Sequence, residues 1–159
     1  MSRITDYGIV LLTHLAAGAG DQVHNARELA RRAGLPLPVV SKILKILTRE
    51  GFLLSHRGIK GGYALARRPG EISVASIIDA LEGPIALTEC GTEAHGACAR
   101  ESRCAVRQPW QQINREVRKA LARVRLADLV PPGGPAPPHR VLLTLTDPPP
   151  APPSGAPAE

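Results

Sequence analysis

The sequence predicts a mainly α-helical fold: a winged helix-turn-helix with a small β-hairpin wing and a long C-terminal dimerisation helix. Three observations carry that expectation. Two short helical segments flank a Gly-Leu-Pro-Leu-Pro connection at 34–38. A strand, a glycine-rich turn and a returning strand follow directly over 52–66. An apolar repeat then runs Val106, Trp110, Ile113, Val117, Leu121 and Val124, with spacings of 4, 3, 4, 4 and 3 residues.

Taken in order, residues 4–18 place Ile4, Tyr7, Leu11 and Leu15 at helical spacing, and Gly18-Ala19-Gly20 ends the run. Asn25 followed by Glu28 makes a capping arrangement for a short helix through Ala33, with Gly34 as its stop. Pro38 suits the first turn of the next helix, where its missing N–H removes no hydrogen bond. That helix is read over Val39 to Glu50, burying Val40, Ile43, Leu44 and Leu47, with Gly51 ending it. Residues 52–56 form a strand, 57–62 a turn and 63–66 the return. Ser73 caps a helix through Leu81, which Gly83-Pro84 stops. Ile85 to Cys104 has no periodicity and reads as a loop. The final amphipathic helix has a near-coiled-coil seam, so its stripe needs cover from its own domain or from a second subunit. A second subunit is the favoured cover.

The length of 159 residues accommodates one ordinary domain plus a tail. The chain is 43% hydrophobic with only 3% aromatic residues, which requires an aliphatic core. No stretch approaches the roughly 18 apolar residues of a membrane span, and the N-terminus lacks a small-residue cleavage site. Cytoplasmic residence is expected. Four segments are expected: a DNA-binding domain over 1–82, a cysteine-rich loop over 83–104, a dimerisation helix over 105–130 and a tail over 131–159. Eleven prolines and three glycines fill those last 29 positions, a composition that predicts disorder.

Charge is distributed unevenly. The formal net charge of +6 resolves into +7 over residues 1–70, −4 over 71–104 and +3 over 105–159. A basic front half fits a localised polyanion-binding face, although a solvated basic surface gives the same count. Within it, Ser41, Lys42, Lys45 and Arg49 share the outer face of the second helix of the pair, and Arg57 and Lys60 sit at the wing tip. These six are the candidate DNA contacts. A nucleotide-binding loop at Gly58, Gly61 and Gly62 is disfavoured, because no helix begins after Gly62 to receive a phosphate. No Ser/His/Asp grouping, pocket-forming carboxylate pair or nucleotide loop points to an enzyme.

All three cysteines lie between Cys90 and Cys104, separated by seven and five residues. The spacing matches neither the CxxC pairs of zinc ribbons nor the tight ferredoxin runs. Three readings remain open on spacing: an iron–sulfur site with a non-cysteine fourth ligand, zinc held by the three cysteines and His95, or a thiol switch. Ordinary packing explains poorly why every cysteine falls in one loop.

Several stretches in order, Ile4-Thr5-Asp6-Tyr7-Gly8, Leu29-Ala30, Val40-Ser41-Lys42-Ile43-Leu44 with Leu47, and Gly51-Phe52-Leu53, carry a family resemblance. It continues through the wing Arg57 to Tyr63, the three cysteines and Arg107-Gln108-Pro109-Trp110. Over residues 1 to 130 the chain resembles the IscR and NsrR type of winged-helix repressor, and within it the iron–sulfur assembly regulator of the SUF system. The resemblance implies a 2Fe–2S or 4Fe–4S cluster held by Cys90, Cys98 and Cys104. It further implies major-groove contacts from Ser41 and Lys42, a minor-groove contact from Arg57, and a homodimer on an operator. It departs at Arg107, where the IscR branch places a histidine ligand, since arginine stays protonated and cannot ligate. The NsrR branch uses an aspartate of the other subunit, and Asp6 falls at the matching place. Asp6 of the partner subunit and His95 are therefore the candidates for the fourth ligand. An acid in the first turn of a helix also serves the helix dipole. The expected function is a transcription regulator that senses iron–sulfur status and controls cluster-assembly genes. The alternative is an iron–sulfur or zinc carrier with no DNA role.

Overall fold

A computed structural model describes residues 2–17, 22–58, 61–88 and 103–132. Five α-helices and one two-stranded antiparallel hairpin lie within them: α1 (Arg3–Ala16), α2 (Ala26–Ala33), α3 (Leu37–Arg49), β1 (Leu53–His56), β2 (Gly62–Leu65), α4 (Val74–Glu82) and α5 (Arg107–Arg123).

Local chemistry sets most boundaries. The Ser2 hydroxyl caps α1 by accepting the Thr5 N–H at 3.4 Å, and Asn25 caps α2 by accepting the Glu28 N–H at 2.8 Å. Gly34 ends α2 in the left-handed conformation at φ 65°, and the Leu35 N–H returns to the Ala30 carbonyl at 3.0 Å. Helix α3 starts two residues earlier than its sequence signals suggest, because Pro38 is accommodated inside the first turn. Ser73 caps α4 by accepting the Ser76 N–H at 3.2 Å. Helix α5 stops at Arg123 because Val124 is extended, at φ −77° and ψ 125°.

The core is aliphatic. Leu11, Leu12 and Leu15 of α1 meet Leu29 of α2, the stripe Val40, Ile43, Leu44 and Leu47 of α3, and Ile77 of α4. Phe52, Leu53 and Leu65 at the base of the hairpin join the same cluster. At Gly8 a Cβ would strike Leu81, so the glycine lets α1 and α4 approach closely. At the other end of that contact the Glu82 carboxylate accepts from the Thr5 hydroxyl and the Ser2 N–H.

The chain after α5 returns to this core. The Val74 N–H donates to Val124 at 2.9 Å, the Leu126 N–H donates to Ile72 at 2.8 Å, and the Leu126 side chain is completely buried. Helix α5 itself lies on α4 through polar contacts. Asn114 donates to the Ile85 carbonyl at 3.0 Å and accepts from the Leu87 N–H at 3.2 Å, and Arg118 pairs with Asp79 at 2.7 Å. Its apolar stripe is open in its first half, with Val106, Trp110 and Ile113 exposed, and half-buried at Val117 and Leu121. The proline-rich segment beyond 132 and the patch Val141 to Leu143 lie outside the described residues. Among the described residues no helix is long and apolar enough to cross a membrane.

Candidate nucleic-acid interface and cysteine segment

Helices α2 and α3 are joined by Gly34-Leu35-Pro36, the short connection that a helix-turn-helix requires. Burial divides α3 cleanly. Val40, Ile43, Leu44 and Leu47 are inaccessible, whereas Lys42, Lys45 and Arg49 are exposed and Ser41 is half-buried. At 100° per residue, positions 41, 42, 45 and 49 fall within an arc of about 100° on the helix. The four predicted contacts of α3 are thus brought together on one face. Lys42 and Lys45 make no ion pair among the described residues. Arg49 pairs with Glu50 at 3.0 Å, but its side chain is 74% exposed, so the pair is weakly held and open to exchange for a phosphate.

The hairpin follows α3 directly. Its register pairs Leu53 with Leu65, Leu54 with Ala64, Ser55 with Tyr63 and His56 with Gly62. The turn is tight: the Gly61 N–H donates to the Gly58 carbonyl at 2.9 Å, and Gly58 sits at φ 108°. A Cβ on Gly61 would lie 2.5 Å from the His56 carbonyl oxygen, so the glycines are required by the turn itself. Arg57 is exposed at this tip, and Lys60 lies outside the described residues. Arg67, just past β2, stacks over the Phe52 ring at 5.2 Å from its centroid and ties the hairpin base to the end of α3.

Sequence reasoning missed His24. Its N–H donates to the Tyr63 carbonyl at 2.9 Å and its carbonyl accepts the Tyr63 N–H at 2.8 Å, which fastens the α1–α2 connection to β2. A single bridging residue leaves no alternating pattern to read. The nearest sequence signal is Gly62, whose absent Cβ lets the His24 carbonyl approach.

Of the predicted metal ligands, Cys104 is a free, half-buried thiol in the turn that opens α5, where its carbonyl accepts the Arg107 N–H at 3.3 Å. Cys90, Cys98 and His95 lie outside the described residues. Asp6 is exposed in the first turn of α1, and Arg107, half-buried, is the first residue of α5. Among the described residues no three His, Cys, Asp or Glu side chains converge on one point. A thiol donor at a helix-opening turn suits an iron–sulfur or zinc site, and the guanidinium of Arg107, which has donors only and stays protonated, is ruled out as a ligand.

Residues 1–132 match the Rrf2 family, described as an iron-dependent transcriptional regulator. The Rrf2 protein of Nitratidesulfovibrio vulgaris is 30% identical over 124 residues, covering 78% of this chain and 82% of the relative. An HTH-type transcriptional regulator of Mycobacterium tuberculosis is 31% identical over 144 residues, covering 90% and 87%. Among solved structures, CymR, the global cysteine regulator of B. subtilis, superposes with a TM-score of 0.63 at 27% identity, covering 81% of this chain and 94% of that one. IscR of T. potens gives the same TM-score and identity, covering 81% and 84%. These relatives are regulators and not enzymes. With its helix-turn-helix, its wing and a family match that spans every described element, the chain belongs to the Rrf2 family of winged-helix, DNA-binding transcriptional regulators.

Proposed function

We propose that the protein binds a pseudo-palindromic operator as a homodimer and reports on iron–sulfur status through Cys90, Cys98 and Cys104. The observation that carries the DNA-binding half is the exposed cationic face of α3, backed by a fully buried aliphatic stripe and followed by an exposed Arg57 at the wing tip. In this arrangement α3 enters the major groove, with Ser41 and Lys42 toward base edges and Lys45 and Arg49 toward phosphates. Arg57 and Lys60 extend from the wing to the adjacent minor groove or its phosphates. The open part of the α5 stripe packs on the same helix of a second subunit, which places two α3 helices about one helical turn of DNA apart. The 1–82 unit is then the reading head, 105–130 the dimer element, 83–104 the sensing segment and 131–159 a proline-rich tail.

Cys104, with Cys90 and Cys98, supplies three thiolates, and Asp6 of the partner subunit is the leading candidate for the fourth ligand, ahead of His95. When bound, a cluster there supplies sensitivity to iron supply and redox state. A carboxylate in the ligand set holds such a group less firmly than a fourth thiolate, which suits a sensor. Cys104 lies in the turn that opens α5, so order in the 83–104 segment bears on the helix that spaces the two reading heads. Genes for cluster assembly are the proposed targets, on the strength of the resemblance to the SUF-system regulator.

The test is a gel-shift titration against an operator selected from a randomised duplex pool. Affinity should fall steeply with salt, Lys42→Ala and Arg57→Ala should each weaken binding, and Lys45→Ala, which removes a phosphate contact in both subunits, should lower the log–log salt slope by about 2. If Lys42→Ala and Arg57→Ala bind like the wild type, the α3 and wing assignment fails. A carrier with no DNA role would show no selected operator at all.

A further inference from the structure

The cationic face of α3 begins with an apolar turn. Pro36 stands at the cap with no side-chain hydrogen bond, and Leu37, Pro38 and Val39 follow it. Part of this run has a packing role: Leu35, just before it, and Val39 lie against the aliphatic core. Leu37 and Pro38 are different. Leu37 is 37% exposed, outside both the core cluster and the layer packed on it, and Pro38 is exposed. The stripe of Val40, Ile43, Leu44 and Leu47 already holds α3 on the domain, so neither residue is needed for that.

A single exposed leucine is common on a protein surface. Its position singles this one out. Leu37 precedes Ser41 by four residues and Pro38 precedes Lys42 by four, so each stands one turn N-terminal to a candidate base contact on the same face. The N-terminal residues of a recognition helix are the ones that reach base edges. Leucine and proline side chains present only C–H groups. In the major groove the matching apolar group is the C5 methyl of thymine, whereas the other base edges present hydrogen-bond donors and acceptors. Covering those with Leu37 or Pro38 would leave polar base atoms without partners. The apolar turn therefore favours thymine and disfavours its competitors by the same contact.

We propose that Leu37 and Pro38 form an apolar pad that reads a thymine methyl group in each operator half-site, ahead of the polar contacts of Ser41 and Lys42. The proposal rests on α3 occupying the major groove, as above. It makes the two residues specificity-determining: they add discrimination without adding charge, so the salt dependence of binding does not register them.

The test puts deoxyuridine in place of thymidine in the selected operator, one symmetric pair of positions at a time. This removes the methyl and keeps every base-pairing hydrogen bond. At one position per half-site the full-length wild type should lose about fourfold in affinity for each methyl, or about fifteenfold for the pair, at unchanged salt slope. In the combined variant Leu37→Ala, Pro38→Ala the loss should shrink to about twofold or less, which marks the methyl and the pad as coupled. Lys42→Ala should bind more weakly throughout and keep the full uracil penalty. The wild-type series needs no variant to fold. Tolerance of uracil at every thymine would overturn the pad, as would a selected half-site with no thymine in either strand. A penalty undiminished in the combined variant would overturn it too, because another group would then hold the methyl. Failure to select any operator would sink the α3 and wing assignment and this inference with it. A selected, Lys42-sensitive operator that is indifferent to uracil would sink the pad alone.

Discussion

At Gly62 the backbone of β2 runs against the His24 carbonyl so closely that a methyl group has no space, and the obstruction is backbone, which cannot rotate away. Gly62→Ala should therefore destabilise the fold by about 1–3 kcal/mol, read as a lower denaturant midpoint at unchanged slope. Gly70 is the internal control, with open space around its missing Cβ, and Gly70→Ala should stay within about 0.5 kcal/mol of the wild type. The same scale separates what was legible in the sequence from what was not. Asn25, Gly34 and Ser73 act on neighbours three or four residues away, so their capping roles follow from the sequence alone. His24 acts on a residue 39 positions on, at Tyr63, and Asn114 on the backbone at 85–87. Nothing local marks either.

At the scale of elements, α3 was readable because one face is buried in the core, which imposes a visible period, whereas the hairpin, buried only at its base, was readable from its glycine-rich turn. Leu47, at the last full turn of α3, is inaccessible, and Leu47→Ala should cost about 2–5 kcal/mol with no direct effect on the cationic face. Helix α5 is readable only in part. Its apolar period is evident, but its attachment to the domain is polar, through Asn114 and the Arg118–Asp79 pair, and its end is fixed by the buried Leu126 beyond it. The period marks a face open at Val106, Trp110 and Ile113 and half-buried at Val117 and Leu121. Ile113 is 45% exposed on that face, so in the proposed homodimer Ile113→Asp should give monomer in sedimentation analysis while the fold keeps its far-UV circular dichroism. A variant that remains dimeric would move the subunit interface off α5. The candidate site divides along the same line: the cysteine cluster was legible as composition, whereas the proposed fourth ligand, Asp6 of the partner subunit, is far from it in sequence and carries no local signal.

For the molecule as a whole, two groups shape stability against pH. His14 has a folded pKa depressed below 6.5, so the unfolded chain binds its proton first as pH falls. Its stabilising contribution is complete above about pH 6.5 and is lost as pH drops from there through the folded value. Glu82 has its pKa lowered by the Thr5 hydroxyl and then by the Ser2 N–H, so its contribution persists to lower pH and is lost as pH falls from 4.5 through the folded value. Thermal unfolding should show a level midpoint at neutral pH and a decline beginning near pH 6.5, and His14→Gln should remove the upper part of that decline. Above these sits the claim that a winged-helix head and a three-cysteine segment form one sensor. The most direct measurement is the iron, acid-labile sulfide and zinc content of protein isolated without oxygen, with its visible absorption. Iron and sulfide in equal amounts, lost in Cys104→Ala, is the predicted result; one zinc per chain with no sulfide would contradict it.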